Sequence, residues 1–207
     1  MQQDFDIILA SSSPRRIEIM KRHSITPIVI KPECDENLPW EMGKEDVVRF
    51  LSLKKALWVE RRLIEGETRF GKEGAERLLA RRPFIVAADT IVYHRSVIGK
   101  PKDRAHAEKM LRQLEGESHY VVTGVTILRA GEPARVSFAE VSKVNFGSYE
   151  DDDFESYLGT EEPYDKAGGY AIQGHFKRYI TSIEGDYDNI VGFPWEHFAK
   201  EFEKLNR

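Results

Sequence analysis

Two arginines follow three serines and a proline in the stretch LASSSPRRIEIMKRH, residues 9–23. An apolar run ends just before this stretch, and helical spacing begins within it. A turn from strand to helix aims backbone N–H groups, and the positive end of the helix dipole, at whatever lies in the turn. Adding Arg15 and Arg16 makes the turn a seat for phosphate, because guanidinium forks match phosphate oxygens. The alternative is an ordinary helix start with solvated arginines. Asp89 is the second centre of interest. The apolar run FIVAA, residues 84–88, reads as a buried strand and leads straight into Asp89 and Thr90. A carboxylate at the C-terminal tip of a strand stands where α/β sheets place their ligands. There it can hold a metal or take a proton from water; its alternative role is to cap the next turn.

Other charged groups belong to the same chemistry or to none. The loop 32–39 carries Glu33, Asp35 and Glu36, which either complete a hard-cation site with Asp89 or stay solvated. Lys100 sits in the constrained GKP stretch, and Lys54 and Lys55 lie on the exposed side of a helical pattern. Six histidines show no pair at zinc-ligand spacing. No nucleophile elbow, phosphate-loop or dinucleotide glycine motif is present. Basic groups and a metal site meeting at strand ends are what cleavage of a phosphoanhydride needs.

The elements that must position these groups follow from periodicity. Residues 5–10 read as a short strand, with Ser13 as helix cap and Pro14 at the first helical position. Residues 26–31 alternate as a second strand. A long amphipathic helix begins near Lys44, and residues 60–82 form a charged surface insertion. The strand 84–88 is continued by 91–93, and Asp103 caps the next helix. Residues 119–128 and 135–146 form a hairpin, 150–158 a short helix, and 165–169 a glycine-bearing loop. Residues 176–183 and 189–191 read as late strands, and Trp195, Phe198, Phe202 and Leu205 mark a closing helix. Strands and helices interleave throughout, so the class is α/β.

Composition narrows the function classes. The 207 residues, 41% hydrophobic and 32% charged, suit one globular domain. A formal net charge of −4 argues against a general nucleic-acid coat. The single cysteine, Cys34, excludes an internal disulfide and fits a reducing compartment. The first residues carry neither a basic segment nor an apolar stretch long enough for a signal or membrane helix, so a cytoplasmic location without membrane contact is expected.

Taken as a set, SSSPRR, AADT (87–90), GKP (99–101), DKAGGYAIQG (165–174) and GDYDNIVGFP (185–194) resemble the Maf family of nucleoside triphosphate pyrophosphatases, historically called septum formation inhibitors. The motifs occur in family order and span nearly the whole chain. The resemblance implies a single domain, 1–207, related to the inosine-triphosphate pyrophosphatases, with an elongated mixed sheet flanked by helices and two lobes around a cleft. It implies hydrolysis of a nucleoside triphosphate to monophosphate and pyrophosphate, a divalent cation (Mg2+ or Mn2+), and often a homodimer. Asp89 then corresponds to the family's proton acceptor, and Arg15, Thr90 and Gln173 to its specificity positions. Glu36, Lys55 and Lys100 match family positions in the acidic loop, the first long helix and GKP. Glu36 and Asp89 are the expected metal ligands, with Ser11 and Arg16 expected to help seat the triphosphate.

The AIQG stretch is similar to the branch acting on dTTP and UTP; the branch acting on 7-methyl-GTP shows a serine–glutamate pair there. A glutamine amide offers one donor and one acceptor, matching a carbonyl and the N3–H of uracil or thymine. Two alternatives remain: the same chemistry on another or modified nucleotide, and a nucleotide-binding regulator of cell division. Asp89 and Lys100 together disfavour the second, since a binder has no use for a water-activating carboxylate.

Overall fold

The computed structural model describes residues 6–206. Strand β1, Ile7–Ala10, is buried throughout and leads into helix α1, Pro14–Arg22; Phe5, expected to start that strand, lies outside the described residues. The second strand is shorter than its alternation suggested. Only Ile28–Val29 forms a ladder, β2, and both residues are half-buried. Helix α2 runs Lys44–Ile64, beginning where the pattern placed it.

Of residues 60–82, expected as a charged surface insertion, 60–64 complete α2 and Gly71–Ala80 form helix α3. Ala75 is buried and Leu78 and Leu79 pack beside α2, so a sparse apolar stripe anchors an otherwise polar segment. Strand β3 is the axis of the molecule and spans Phe84–His94 without interruption. Asp89 is therefore mid-strand, not at a strand tip as its sequence context suggested. The long neighbour β5, Ser118–Arg129, pairs with β3 from Phe84 to Tyr93 and carries the ladder through the polar pair.

Strand β4, Ser96–Ile98, turns back on β3, and helix α4, Arg104–Arg112, follows with Asp103 accepting from the His106 N–H at 2.8 Å. Strand β6, Arg135–Phe146, completes the hairpin with β5, and α5, Asp151–Leu158, comes next. The late region departs from the expected strands. His175–Tyr179 is a 3-10 helix, Ile180–Glu184 is strand β7, and Tyr187–Val191 is a short helix, α6. Phe176 and Tyr179, three residues apart and both buried, meet on one side of a three-residue turn. In 189–191 a short apolar run fits helix and strand alike, and Asp186 decides by accepting from the Asp188 N–H. Helix α7, Trp195–Leu205, closes the chain.

The sheet order is β2-β1-β3-β5-β6-β7, with β4 also paired to β3. β1 runs parallel to β2 and β3, and the remaining pairs are antiparallel, giving a mixed sheet with helices on both faces. One face buries Leu9, Val86, Ala88 and Val125 against α1, α4, α5 and α7. The other buries Ile8, Ala10, Ile85 and Ala87 beneath Ala56, Val59 and Leu63 of α2. Among the described residues no helix is long and apolar enough to cross a membrane.

Candidate active site

Along one edge of β3 the pairing is broken. β1 pairs with residues 84–87 and β4 with 92–94, so no described strand covers residues 88–91 on that edge. The serine–arginine turn leaves β1 at one lip of this gap, and the GKP loop leaves β4 at the other. Consecutive strand residues point to opposite faces, so Asp89 and Thr90 project to the two sides of the sheet at the one place where its edge is open.

Asp89 faces α2. Its Oδ1 accepts a short hydrogen bond from Lys55 Nζ, which also lies 2.8 Å from Glu36 Oε1. The Lys55 and Asp89 side chains are 13% and 9% exposed while Glu36 is 64% exposed, so the acidic loop closes the pair from the solvent side. α2 reaches this close because residue 124, opposite Asp89 on β5, is glycine. A Cβ there would lie 2.3 Å from the Val48 carbonyl. Val48, Ser52 and Lys55 share one helix face, and fully buried Ser52 joins Thr126 of β5 by a 2.9 Å hydroxyl contact.

The electrostatics follow from this packing. Burial is the largest influence on Lys55 and would lower its pKa, but Asp89 and Glu36 together outweigh it and hold the ammonium above the ordinary lysine value. The Lys55 hydrogen bond draws Glu36 below the usual carboxylate range against the effect of burial, with Lys100 and Arg16 adding to it. Lys100 is exposed and acts on Glu36 through space. Of the acidic trio, only Glu36 is tied to Asp89. Asp35 pairs with Lys54 at 2.8 Å, and Glu33 borders a small surface recess with Cys34. Among the described residues no group of three or more metal-ligating side chains forms.

On the opposite face the two arginines separate. Arg16 donates from Nε to the Gly192 carbonyl at 2.9 Å, from Nη1 to Ser11 Oγ at 3.1 Å and from Nη2 to Thr90 Oγ1 at 3.0 Å. Burial lowers its pKa below the ordinary arginine value, with Asp89 opposing. Ser11 is buried and also accepts from the Ser13 N–H at 3.2 Å, so it braces the turn. Ser13 occupies the cap position without a side-chain cap bond. Arg15 has neither hydrogen bond nor ion pair to a described residue; its charge reaches Asp165 at the start of the glycine loop. That loop packs beside β3, because Gly168, at φ 73°, sits where a Cβ would lie 2.9 Å from Val92. Val92 lies two residues beyond Thr90 and so shares its face. Gln173 stands exposed on the turn that ends the loop.

Sequence reasoning did not single out Thr123, Ser142 and Asn189, which stand behind Thr90. Thr123 Oγ1 contacts Thr90 Oγ1 at 2.9 Å and donates to the Asn189 carbonyl at 3.0 Å. Asn189 Nδ2 donates to the Val121 carbonyl and to Ser142 Oγ. The available signal was a polar residue inside an apolar run, in VVTGV and in DNIV. Buried polar residues in such runs need partners and usually hold a defined geometry.

A family model described as Maf-like protein matches residues 6–205. The chain is 36% identical over 203 residues to a dTTP/UTP pyrophosphatase of Agathobacter rectalis, covering 96% of this chain and 97% of that protein. A dTTP/UTP pyrophosphatase of Lachnoclostridium phytofermentans is 37% identical over 205 residues, 97% of this chain and 95% of its own length. One from Carboxydothermus hydrogenoformans is 37% identical over 199 residues, 96% and 97% of the two chains. With five ordered motifs, a mixed α/β sheet and a match over almost its full length, the chain belongs to the Maf family.

Proposed function

We propose that this protein hydrolyses nucleoside triphosphates to the monophosphate and pyrophosphate, with dTTP and UTP as favoured substrates. The observation that carries this reading is the Glu36–Lys55–Asp89 cluster at the unpaired stretch of β3, in a chain whose named relatives are dTTP/UTP pyrophosphatases. Arg15, Arg16, Lys55 and Lys100 surround the gap with positive charge, which suits a ligand carrying several negative charges.

In this reading the triphosphate crosses the gap, with its phosphates toward Lys55 and Lys100 and its base toward Thr90 and Gln173. Asp89 Oδ1 is held by Lys55, while Oδ2 accepts no hydrogen bond from a described residue and is left to take a proton from water. The resulting hydroxide oxygen bonds to the α-phosphorus. The bond from that phosphorus to the oxygen bridging the β-phosphate breaks, and pyrophosphate departs with the electron pair. Lys55 and Lys100 face the charge that grows on the departing group, where fixed cations act most strongly. Arg15, without a hydrogen-bond or ion-pair partner among the described residues, is available to bind phosphate oxygens bidentately.

A divalent cation fits the donor set. Glu36 and Asp89 offer hard carboxylate oxygens, and Mg2+ is usually held by one or two carboxylates together with water and substrate phosphates. When bound, the ion neutralises phosphate charge and polarises the phosphoryl oxygens. The deciding measurement is pyrophosphate release from dTTP, UTP, CTP, ATP and GTP, with and without Mg2+ or Mn2+. The reading expects dTTP and UTP to turn over well ahead of CTP and ATP. Absence of pyrophosphate from all of them would overturn it.

A further inference from the structure

The hydrogen bonds behind Thr90 have a direction that the atoms dictate. The Asn189 backbone carbonyl can only accept, so the hydrogen of the Thr123 hydroxyl, whose oxygen lies 3.0 Å from the carbonyl oxygen, is committed there. Thr90 Oγ1 and Thr123 Oγ1 are 2.9 Å apart, and with the Thr123 hydrogen engaged, Thr90 must be the donor of that pair. Arg16 Nη2 has no lone pair to offer and donates to Thr90 Oγ1 at 3.0 Å. The Thr90 hydroxyl thus has its hydrogen and one lone pair engaged, and a single lone pair is left for a ligand. The residue is half-buried, so that lone pair can be reached.

The anchor of this relay does not yield easily. Asn189 is 0% exposed, and its side chain donates to the Val121 carbonyl at 3.0 Å and to Ser142 Oγ at 2.9 Å. Ser142 in turn donates to the Asp186 carbonyl at 2.9 Å. Turning the Thr90 hydrogen toward the cleft would leave Thr123 Oγ1 without its donor inside the protein.

We infer that Arg16, Thr123 and Asn189 are positioning residues that hold the Thr90 hydroxyl as an acceptor-only group, so that the site selects a base presenting a ring N–H, as uracil and thymine do, over cytosine. At the same ring position cytosine presents a lone pair, which would face the lone pair of Thr90. This inference rests on the proposed pyrophosphatase reading and adds to it the polarity of the group that meets the base.

The test is the ratio of kcat/KM for UTP to that for CTP. Thr123→Val keeps the shape of the side chain and removes the acceptor for the Thr90 hydrogen, freeing that hydrogen to turn toward cytosine N3. The ratio should fall about tenfold, the scale of one mismatched buried polar group, while Thr123→Ser should keep the wild-type ratio. Thr90→Val, which removes the hydroxyl altogether, should lower the ratio mainly through UTP, and it serves as the test if Thr123→Val does not fold. Parallel losses for both nucleotides in the Val variants would overturn the inference and leave the pyrophosphatase reading standing. A wild-type protein that releases pyrophosphate from neither nucleotide would overturn both.

Discussion

The two faces of β3 at its open edge are built on different terms. On the Thr90 face the polar groups are matched to one another: Arg16 reaches three acceptors, Thr90 and Thr123 pass hydrogen bonds inward, and the relay ends on buried backbone. On the Asp89 face one ammonium serves two carboxylates, Glu36 is largely in water, and Lys100 stands without a direct partner among the described residues. The first arrangement is closed apart from one lone pair of Thr90 Oγ1. The second leaves charge and hydrogen-bonding capacity for a ligand. Neighbouring residues of one motif, Arg15 and Arg16, thus differ in how much of their hydrogen-bonding capacity the described residues take up.

The largest effect is expected from Asp89→Asn. Turnover should fall by roughly 10²–10⁴, the worth of general-base assistance, while the melting temperature changes little. A variant retaining wild-type turnover at saturating metal would place the water-activating group elsewhere.

The arginine pair tests the contrast directly. Arg16→Ala removes the donor from three partly buried acceptors and should lower unfolding stability by about 3 kcal/mol, since each unsatisfied group costs about 1–3 kcal/mol. Arg15→Ala should leave stability within about 0.5 kcal/mol. It should instead reduce kcat/KM tenfold to a hundredfold, the scale of a charge-assisted phosphate contact worth about 1.5–3 kcal/mol. Denaturant unfolding and kinetics on both variants decide the matter, and the reverse pattern would exchange their roles.

The Thr90 face also carries a pH signature. His119 is fully buried with Nε2 2.6 Å from the Tyr170 hydroxyl, and burial, aided by nearby His94, pulls its pKa down to about 3 from 6.5. A depressed value means the unfolded chain takes up a proton that the folded one refuses, so this contribution is complete above pH 6.5 and is lost as pH falls toward 3. Between pH 6.5 and 5 stability should drop by about 2 kcal/mol, at up to about 1.4 kcal/mol per pH unit. His119→Phe should be less stable at pH 7 and should lack that slope, which urea midpoints at the two pH values would reveal.

The smallest effect is expected at Gln173, exposed on its turn. Gln173→Glu keeps the acceptor and loses the donor, so the preference for UTP over CTP should erode a few-fold, short of the roughly tenfold change expected from one mismatched buried group. Equal slowing of both nucleotides would make Gln173 a brace for the loop.

Much of the architecture was legible because single elements carry their own periodicity. Strand β6 and the start of α2 lie where alternation and helical spacing put them. The late segment was misread where three or four apolar residues admit either geometry; Asp186 and the aromatic pair Phe176 and Tyr179 settle it through contacts outside that window. The mid-strand place of Asp89 was not legible, because the length of β3 is enforced by β5, far along the chain.

Residue type and local order set the chemistry available: a doubled arginine after a strand, a carboxylate in an apolar run, a lysine in GKP and an amide in AIQG. Which of these groups are free to act was decided by tertiary structure. Gly124 admits α2 close enough for Lys55 to bridge Glu36 and Asp89, and Gly192, 176 residues from Arg16, supplies the carbonyl that holds its guanidinium, while Arg15 has no such partner among the described residues. A side chain's type is local, but whether its hydrogen-bonding capacity is already satisfied depends on partners brought together only by packing.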